Sequence, residues 1–170
     1  MLGHGAGGDV DAPDLQAVRA VALARGVAVA LVTQPYRVAG RRAPAPAAQL
    51  DTAWLAVVAR LRKNLAFTTL VVGGRSSGAR VACRTAVAAG AARILALAFP
   101  LHPPGKPDKS RAEELLTGVP TLVVNGERDA FGVPEAAQAV QVRRLAGETH
   151  ALSKNPAGVA AAATDFVTGL

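Results

Sequence analysis

Along the chain, short apolar runs alternate with stretches in which apolar residues recur every three or four positions. The runs at 26–33, 68–73, 92–98, 119–125 and 141–146 predict strands, and the periodic stretches between them predict helices. Strands alternating with helices are the signature of βαβ units around a mostly parallel sheet, so the expected fold class is a three-layer α/β/α sandwich. Pro13 and Asp14 open the first helix and Gly26 closes it, with proline at the first position and glycine just past the end. The second carries Leu50, Trp54, Val57, Val58 and Leu61 on one face. The third starts near Ser77 and stops at Gly90, and its small Ala79, Ala82, Cys83 and Ala86 allow a close approach to the sheet. A short fourth is expected near 110–116 and a fifth after Pro134. The last opens at Asn155 and Pro156 and is expected to bury Val159, Ala163, Phe166 and Val167. Two proline-rich loops, 34–46 and 100–107, are the natural linings for a site.

Composition narrows the class. The 170 residues suit one domain, 1–170, without repeats or a long linker. About half are hydrophobic, enough for a core, and no apolar run approaches the roughly 18–20 residues that span a bilayer. No secretory signal pattern opens the chain, and Cys83 is the only cysteine, so no internal disulfide forms. A cytoplasmic protein is expected, with no membrane partner. The net charge of +7 is spread over scattered arginines, with Arg37, Arg41 and Arg42 the nearest thing to a cluster. Aromatics are 4% of the chain, which leaves few platforms for stacking bases, so no nucleic-acid partner is expected either.

The chemistry concentrates at Gly74-Arg75-Ser76-Ser77-Gly78, which fits G-x-S-x-G between an apolar run and a helix. That context is what a nucleophile elbow needs: a serine on a sharp turn, with flanking glycines to relieve crowding. A phosphate-binding loop is excluded by Ala79-Arg80 where Lys-Ser/Thr would be required. A serine nucleophile needs a base and an acid to orient it. Of the three histidines, His4, His102 and His150, the last follows the final predicted strand. Asp129 follows the strand before it, with Glu127 as the substitute acid. Both lie at carboxyl ends of strands, where open α/β sheets place their sites. The expected triad is therefore Ser76, Asp129 and His150. The oxyanion donors are expected to be the backbone N–H groups of Ser77 and of Ala6, in the loop His4-Gly5-Ala6-Gly7-Gly8. That loop also matches G-x-G-x-x-G through Gly3, Gly5 and Gly8, but it lacks a full preceding strand and an immediate helix, so no dinucleotide is expected.

Five segments in order carry a resemblance: His4 to Gly8, Gln34-Pro35-Tyr36-Arg37, Gly73 to Gly78, Phe99-Pro100-Leu101-His102-Pro103 and Asn125 to Asp129. Together they resemble the small, lidless branch of the α/β-hydrolase superfamily related to dienelactone hydrolases and to testis-expressed and NSL-complex-subunit hydrolase-like proteins. The resemblance covers nearly the whole chain. It implies an α/β-hydrolase fold lacking its first strands, and the triad placed above. Two departures stand out: Ala130 replaces the proline that often follows the acid, and the strand ahead of the His-Gly loop is at most Met1 and Leu2. That stub predicts a longer chain or completion by self-association, a homo-oligomer. By the same resemblance it should lie between the runs 27–32 and 69–72.

Tyr36, Arg37, Arg75 and His102 are expected to bind substrate, the arginines favouring an anionic group. Cys83 reads as a packed, inert thiol. Two functions fit. The first is a serine hydrolase acting on a small-molecule ester or thioester, with no metal or cofactor. The second is a hydrolase-fold binding or assembly protein with little turnover.

Overall fold

The structure, a computed structural model, describes residues 1–169. Six strands form one parallel sheet: β1 (Leu2–Gly3), β2 (Leu31–Val32), β3 (Val71–Arg75), β4 (Arg93–Leu97), β5 (Thr121–Gly126) and β6 (Val140–Leu145). Their order is β2-β1-β3-β4-β5-β6. Five α-helices complete the layers: α1 (Pro13–Ala24), α2 (Pro35–Val38), α3 (Ala47–Asn64), α4 (Ser77–Thr85) and α5 (Pro156–Thr168). Helices α1 and α5 cover one face through Leu15, Val18, Val159, Ala163 and Val167, against Leu95, Leu97, Leu122 and Val124. Helices α3 and α4 cover the other through Leu50, Trp54, Val58, Ala79, Ala82 and Cys83, against Val72, Ile94, Ala96 and Val123. Each large side chain so buried contributes about 1.5–3 kcal/mol relative to exposure. Among the described residues no helix is long and apolar enough to cross a membrane.

The stub at the start of the chain lies inside the sheet, one strand in from the β2 edge. Leu2 pairs with Leu31 on one side and with Gly73 on the other, so β1 sits between the two runs that the resemblance implies. Its two residues limit its neighbours. Only Leu31–Val32 of the expected 26–33 strand finds a ladder partner, and an apolar groove of about 400 Å³ opens between residues 27–30 and 69–71.

Other expectations are corrected. Regular helix in α4 ends at Thr85, and turns carry the chain to Gly90. The fourth helix is a single 3-10 turn, Ala112–Leu115. In α5 Ala160 is buried, and Phe166 is only partly so. The helix expected after Pro134 does not form; the segment is extended and ends in a bridge between Ala137 and Val140. Length explains this. Strands β5 and β6 are parallel and in register from Thr121–Val140 to Gly126–Leu145. The chain must therefore descend the full strand, about 20 Å at 3.3 Å per residue. After the turn at 127–132, only 133–139 remain, and seven helical residues would climb only about 10 Å.

Candidate active site

Strand β3 delivers the elbow and α4 takes the chain away from it. Ser76 sits between them at φ 52° and ψ −110°. This is a left-handed conformation that costs a non-glycine residue about 1–3 kcal/mol, sustained only where the surroundings over-determine it. Here they do. The Ser76 N–H donates to the Leu97 carbonyl at 2.9 Å, which ties the turn to the end of β4. On the other side, Gly74 and Gly78 both press on the backbone of Gly3; a Cβ at either would collide with the Gly3 carbonyl oxygen. The two glycines of the motif are thus required by the close packing of β3 and α4 on β1.

Asp129 and His150 hang from the ends of β5 and β6. His150 Nε2 lies 2.9 Å from Ser76 Oγ, and Nδ1 lies 2.9 and 3.1 Å from the two Asp129 oxygens. With its proton on Nδ1, the ring donates to Asp129 and leaves Nε2 to accept from the serine hydroxyl. The Asp129 side chain is fully buried, while His150 is partly exposed. Glu127 is exposed and accepts only a long contact from the Gly147 N–H, so it stands outside this relay. Asp129 is held by the Phe131 N–H at 2.8 Å and by Asn125 Nδ2 at 3.2 Å. Asn125 also clamps the backbone of Phe99, accepting from its N–H at 2.8 Å and donating to its carbonyl at 3.0 Å. The Phe131 ring stacks on His150, with centroids 4.1 Å apart and planes 29° apart. His150 is followed by Leu152, whose side chain is wholly buried.

The His-Gly loop lies beside Ser76: a Cβ at Gly5 would sit 3.3 Å from Ser76 Cβ. His4 holds this loop from behind. Its Nδ1 donates to the Gly5 carbonyl, its Nε2 accepts from the Gln34 N–H, and Gln34 Nε2 donates to the His4 carbonyl. Ala6 is exposed at the loop's crest. Ser77 opens α4, so its N–H has no acceptor within the helix and lies at the positive end of the helix dipole.

The expected substrate residues divide. Tyr36 is 3% exposed and packs edge-on to His4, so it supports the His-Gly loop from the core and does not face an incoming molecule. Arg75 turns into the framework, donating to Asp14 and to backbone carbonyls of the His150 loop; its expected substrate role gives way to these bonds. Arg37 lies 3.8 Å from Asp9. His102 donates from Nδ1 to the Pro103 carbonyl, and its Nε2 lies against Gly132, beside the acid loop. Burial pushes the Cys83 thiol up to about 12. Among the described residues no three His, Cys, Asp or Glu side chains gather as a metal site.

Three residues of the site escaped the sequence reading. Asn125 had a weak signal, a polar residue ending an otherwise apolar strand. Asp14 read only as a helix opener. Phe131 had none.

With this fold and this constellation in place, the class is that of the α/β hydrolases. The chain belongs to the alpha/beta hydrolase domain family, whose model matches residues 1–154. Solved structures agree on the fold. Est1E from Butyrivibrio proteoclasticus, with ferulic acid bound, is 18% identical, covers 99% of this chain and 87% of its own, and superposes with a TM-score of 0.76. An α/β serine hydrolase without a lid from Xanthomonas campestris is 18% identical, covers 99% and 80%, and scores 0.69. An alpha-beta serine hydrolase homologue from Coxiella burnetii is 15% identical, covers 99% and 84%, and scores 0.69. No curated protein matches the chain.

Proposed function

We propose that this protein is a serine hydrolase that cleaves a small-molecule ester or thioester. The observation that carries the reading is the unbroken line from Ser76 Oγ through the His150 ring to Asp129, with 2.9 Å at each step. Ser76 Oγ attacks the substrate carbonyl carbon as its proton passes to His150 Nε2. Asp129 keeps the imidazole oriented and stabilises the imidazolium. The Ser77 and Ala6 N–H groups receive the developing oxyanion. The carbon–oxygen or carbon–sulfur bond then breaks, the leaving alcohol or thiol takes the proton from His150, and an acyl-serine remains. Water, deprotonated by His150, releases the acid and restores the serine. Arg37 and His102 bind substrate from the rim. The five shared segments favour a place beside the dienelactone hydrolases and the testis-expressed and NSL-complex-subunit proteins, with serine at the position of the dienelactone hydrolase cysteine.

A fluorophosphonate probe tests the proposal, together with a p-nitrophenyl ester series of increasing acyl length. Labelling and turnover are expected for the native protein and not for Ser76→Ala. A folded native protein that takes no label and turns over no ester would leave binding or assembly as its function.

A further inference from the structure

Arg75 is the second residue of the elbow, where G-x-S-x-G sets no side chain. Its guanidinium joins three segments that are remote in sequence. Nε donates to Asp14 Oδ2 at 2.9 Å, and one terminal nitrogen donates to the carbonyls of His150 at 2.9 Å and Ala151 at 2.8 Å. Asp14 lies in the first turn of α1 with its side chain fully buried, and its other oxygen accepts the Leu15 N–H at 2.9 Å. Burial raises the Asp14 pKa, and the adjacent Arg75 charge partly offsets that rise. His150 itself belongs to neither a strand nor a helix. Its loop is fixed by buried Leu152 and by the Leu152 N–H on the Thr149 carbonyl. The His150 and Ala151 carbonyls themselves are held by Arg75.

We infer that Arg75 is a positioning residue for the base: it clamps the His150–Ala151 backbone to the same turn that carries Ser76, and Asp14 aims the guanidinium. This rests on the reading of Ser76 and His150 as nucleophile and base. The clamp makes the Ser76–His150 distance a local quantity, although the two residues are 74 positions apart. A guanidinium suits the task because its donors diverge in a fixed plane, so one group serves a carboxylate and two carbonyls. A lysine ammonium is a point donor that cannot hold that fork.

The test compares Arg75→Lys, Arg75→Gln and the double variant Arg75→Gln/Asp14→Asn, which leaves no unpaired buried carboxylate. Hydrolysis of p-nitrophenyl acetate is read beside the low-field Nδ1–H resonance of His150, assigned in ¹⁵N-histidine-labelled protein against His150→Gln. A displacement of about 1 Å at the base lowers kcat by roughly 100-fold, and that loss is expected in the double variant. KM should stay within about twofold, because ground-state binding is untouched. The His150 resonance should broaden or shift in the double variant, and Arg75→Lys should fall between it and the native protein. Native kcat together with an unchanged resonance in the double variant would overturn the inference. So would a kcat lost in Arg75→Gln and restored in the double variant, since the defect would then be the stranded carboxylate. If Ser76→Ala proves as active as the native protein, the catalytic reading falls. The resonance alone then decides the clamp: broadening supports it, and an unchanged signal refutes it.

Discussion

The two halves of the site are held by different means. The Ser76 half is backbone on backbone: β3 and α4 press their glycines onto Gly3, and the serine is forced into a left-handed turn with little help from side chains. The Asp129–His150 half is two loops held by side chains: Asn125 on Asp129, Phe131 on His150, Arg75 on the His150 carbonyl. A backbone-built turn depends on sterics and tolerates almost no substitution at its contact points. A side-chain-built loop depends on separate bonds, each removable at a graded cost. The prediction is therefore a steep response to change on one side and a stepwise response on the other.

The largest effect comes from the pair that spans both halves. Ser76→Ala and His150→Ala should each lower kcat/KM by roughly 10⁴-fold or more, with the double variant little worse, because nucleophile and base act as one unit. Steady-state kinetics on p-nitrophenyl acetate reads this directly. Additive losses would mean that the two side chains act independently and that the 2.9 Å contact between them has no catalytic meaning.

Next is the steric seam. Gly78→Ala puts a methyl against the Gly3 carbonyl and 2.8 Å from the His4 carbonyl oxygen. Both obstacles are backbone, in β1 and in the residue just after it, so they cannot swing aside. Overpacking of this kind costs about 1–3 kcal/mol. Urea denaturation should show that loss, and fluorophosphonate labelling should fall with it because the elbow shifts. A variant of native stability and native labelling would show that β1 and α4 are not in close contact.

On the other side, Asn125→Ala removes four partners at once: Asp129, the Phe99 N–H, the Phe99 carbonyl and the Gly132 carbonyl. Leaving a buried donor such as the Phe99 N–H unsatisfied costs about 1–3 kcal/mol. Activity should drop by about tenfold to 100-fold as Asp129 loosens and the imidazole loses its alignment. Asn125→Asp, which keeps the acceptor for Phe99 but sets a second carboxylate beside Asp129, should lose more activity than stability. Equal activity in native and Asn125→Ala proteins would show that the Phe131 N–H alone is enough to hold the acid.

This contrast also explains what could be read in advance. The elbow was legible because its requirements are contiguous: an apolar run, three glycines and a helix start within eleven residues, 69–79. Asp129 and His150 were legible because strand ends are few and the chain has only three histidines. Their supports were not, since the bonds that hold them join residues distant in sequence, such as Arg75 with Asp14 and with His150. Arg75 and Tyr36 were expected to face substrate, whereas Arg75 turns to Asp14 and the His150 loop and Tyr36 is buried against His4. Position along a strand end fixes where a residue starts, while its partners decide where the side chain goes. The helix expected after Pro134 failed for a related reason. Its local pattern was compatible with a helix, but the span it had to cover was set by the register of two other strands.

The smallest effect isolates a ring. Phe131 contributes twice: its N–H donates to Asp129, and its side chain stacks on His150. Phe131→Leu keeps the first contribution and most of the apolar bulk, so it removes the aromatic face alone. Aromatic pairs of this type are worth about 0.5–1.5 kcal/mol beyond the area they bury. If the stack holds the imidazole against the acid, part of that energy is paid out of the ordered His150 rotamer, and kcat should fall by about two- to tenfold at tenfold per 1.36 kcal/mol. KM should not move, since the ring lies on the base and not on the substrate. A rise in KM at constant kcat would instead place Phe131 in the acyl or alcohol pocket, and would turn a support of the base into a determinant of specificity. Phe131→Tyr restores an aromatic face of the same area, so it should recover kcat if stacking is the cause; failure to do so would point to packing bulk rather than to the ring.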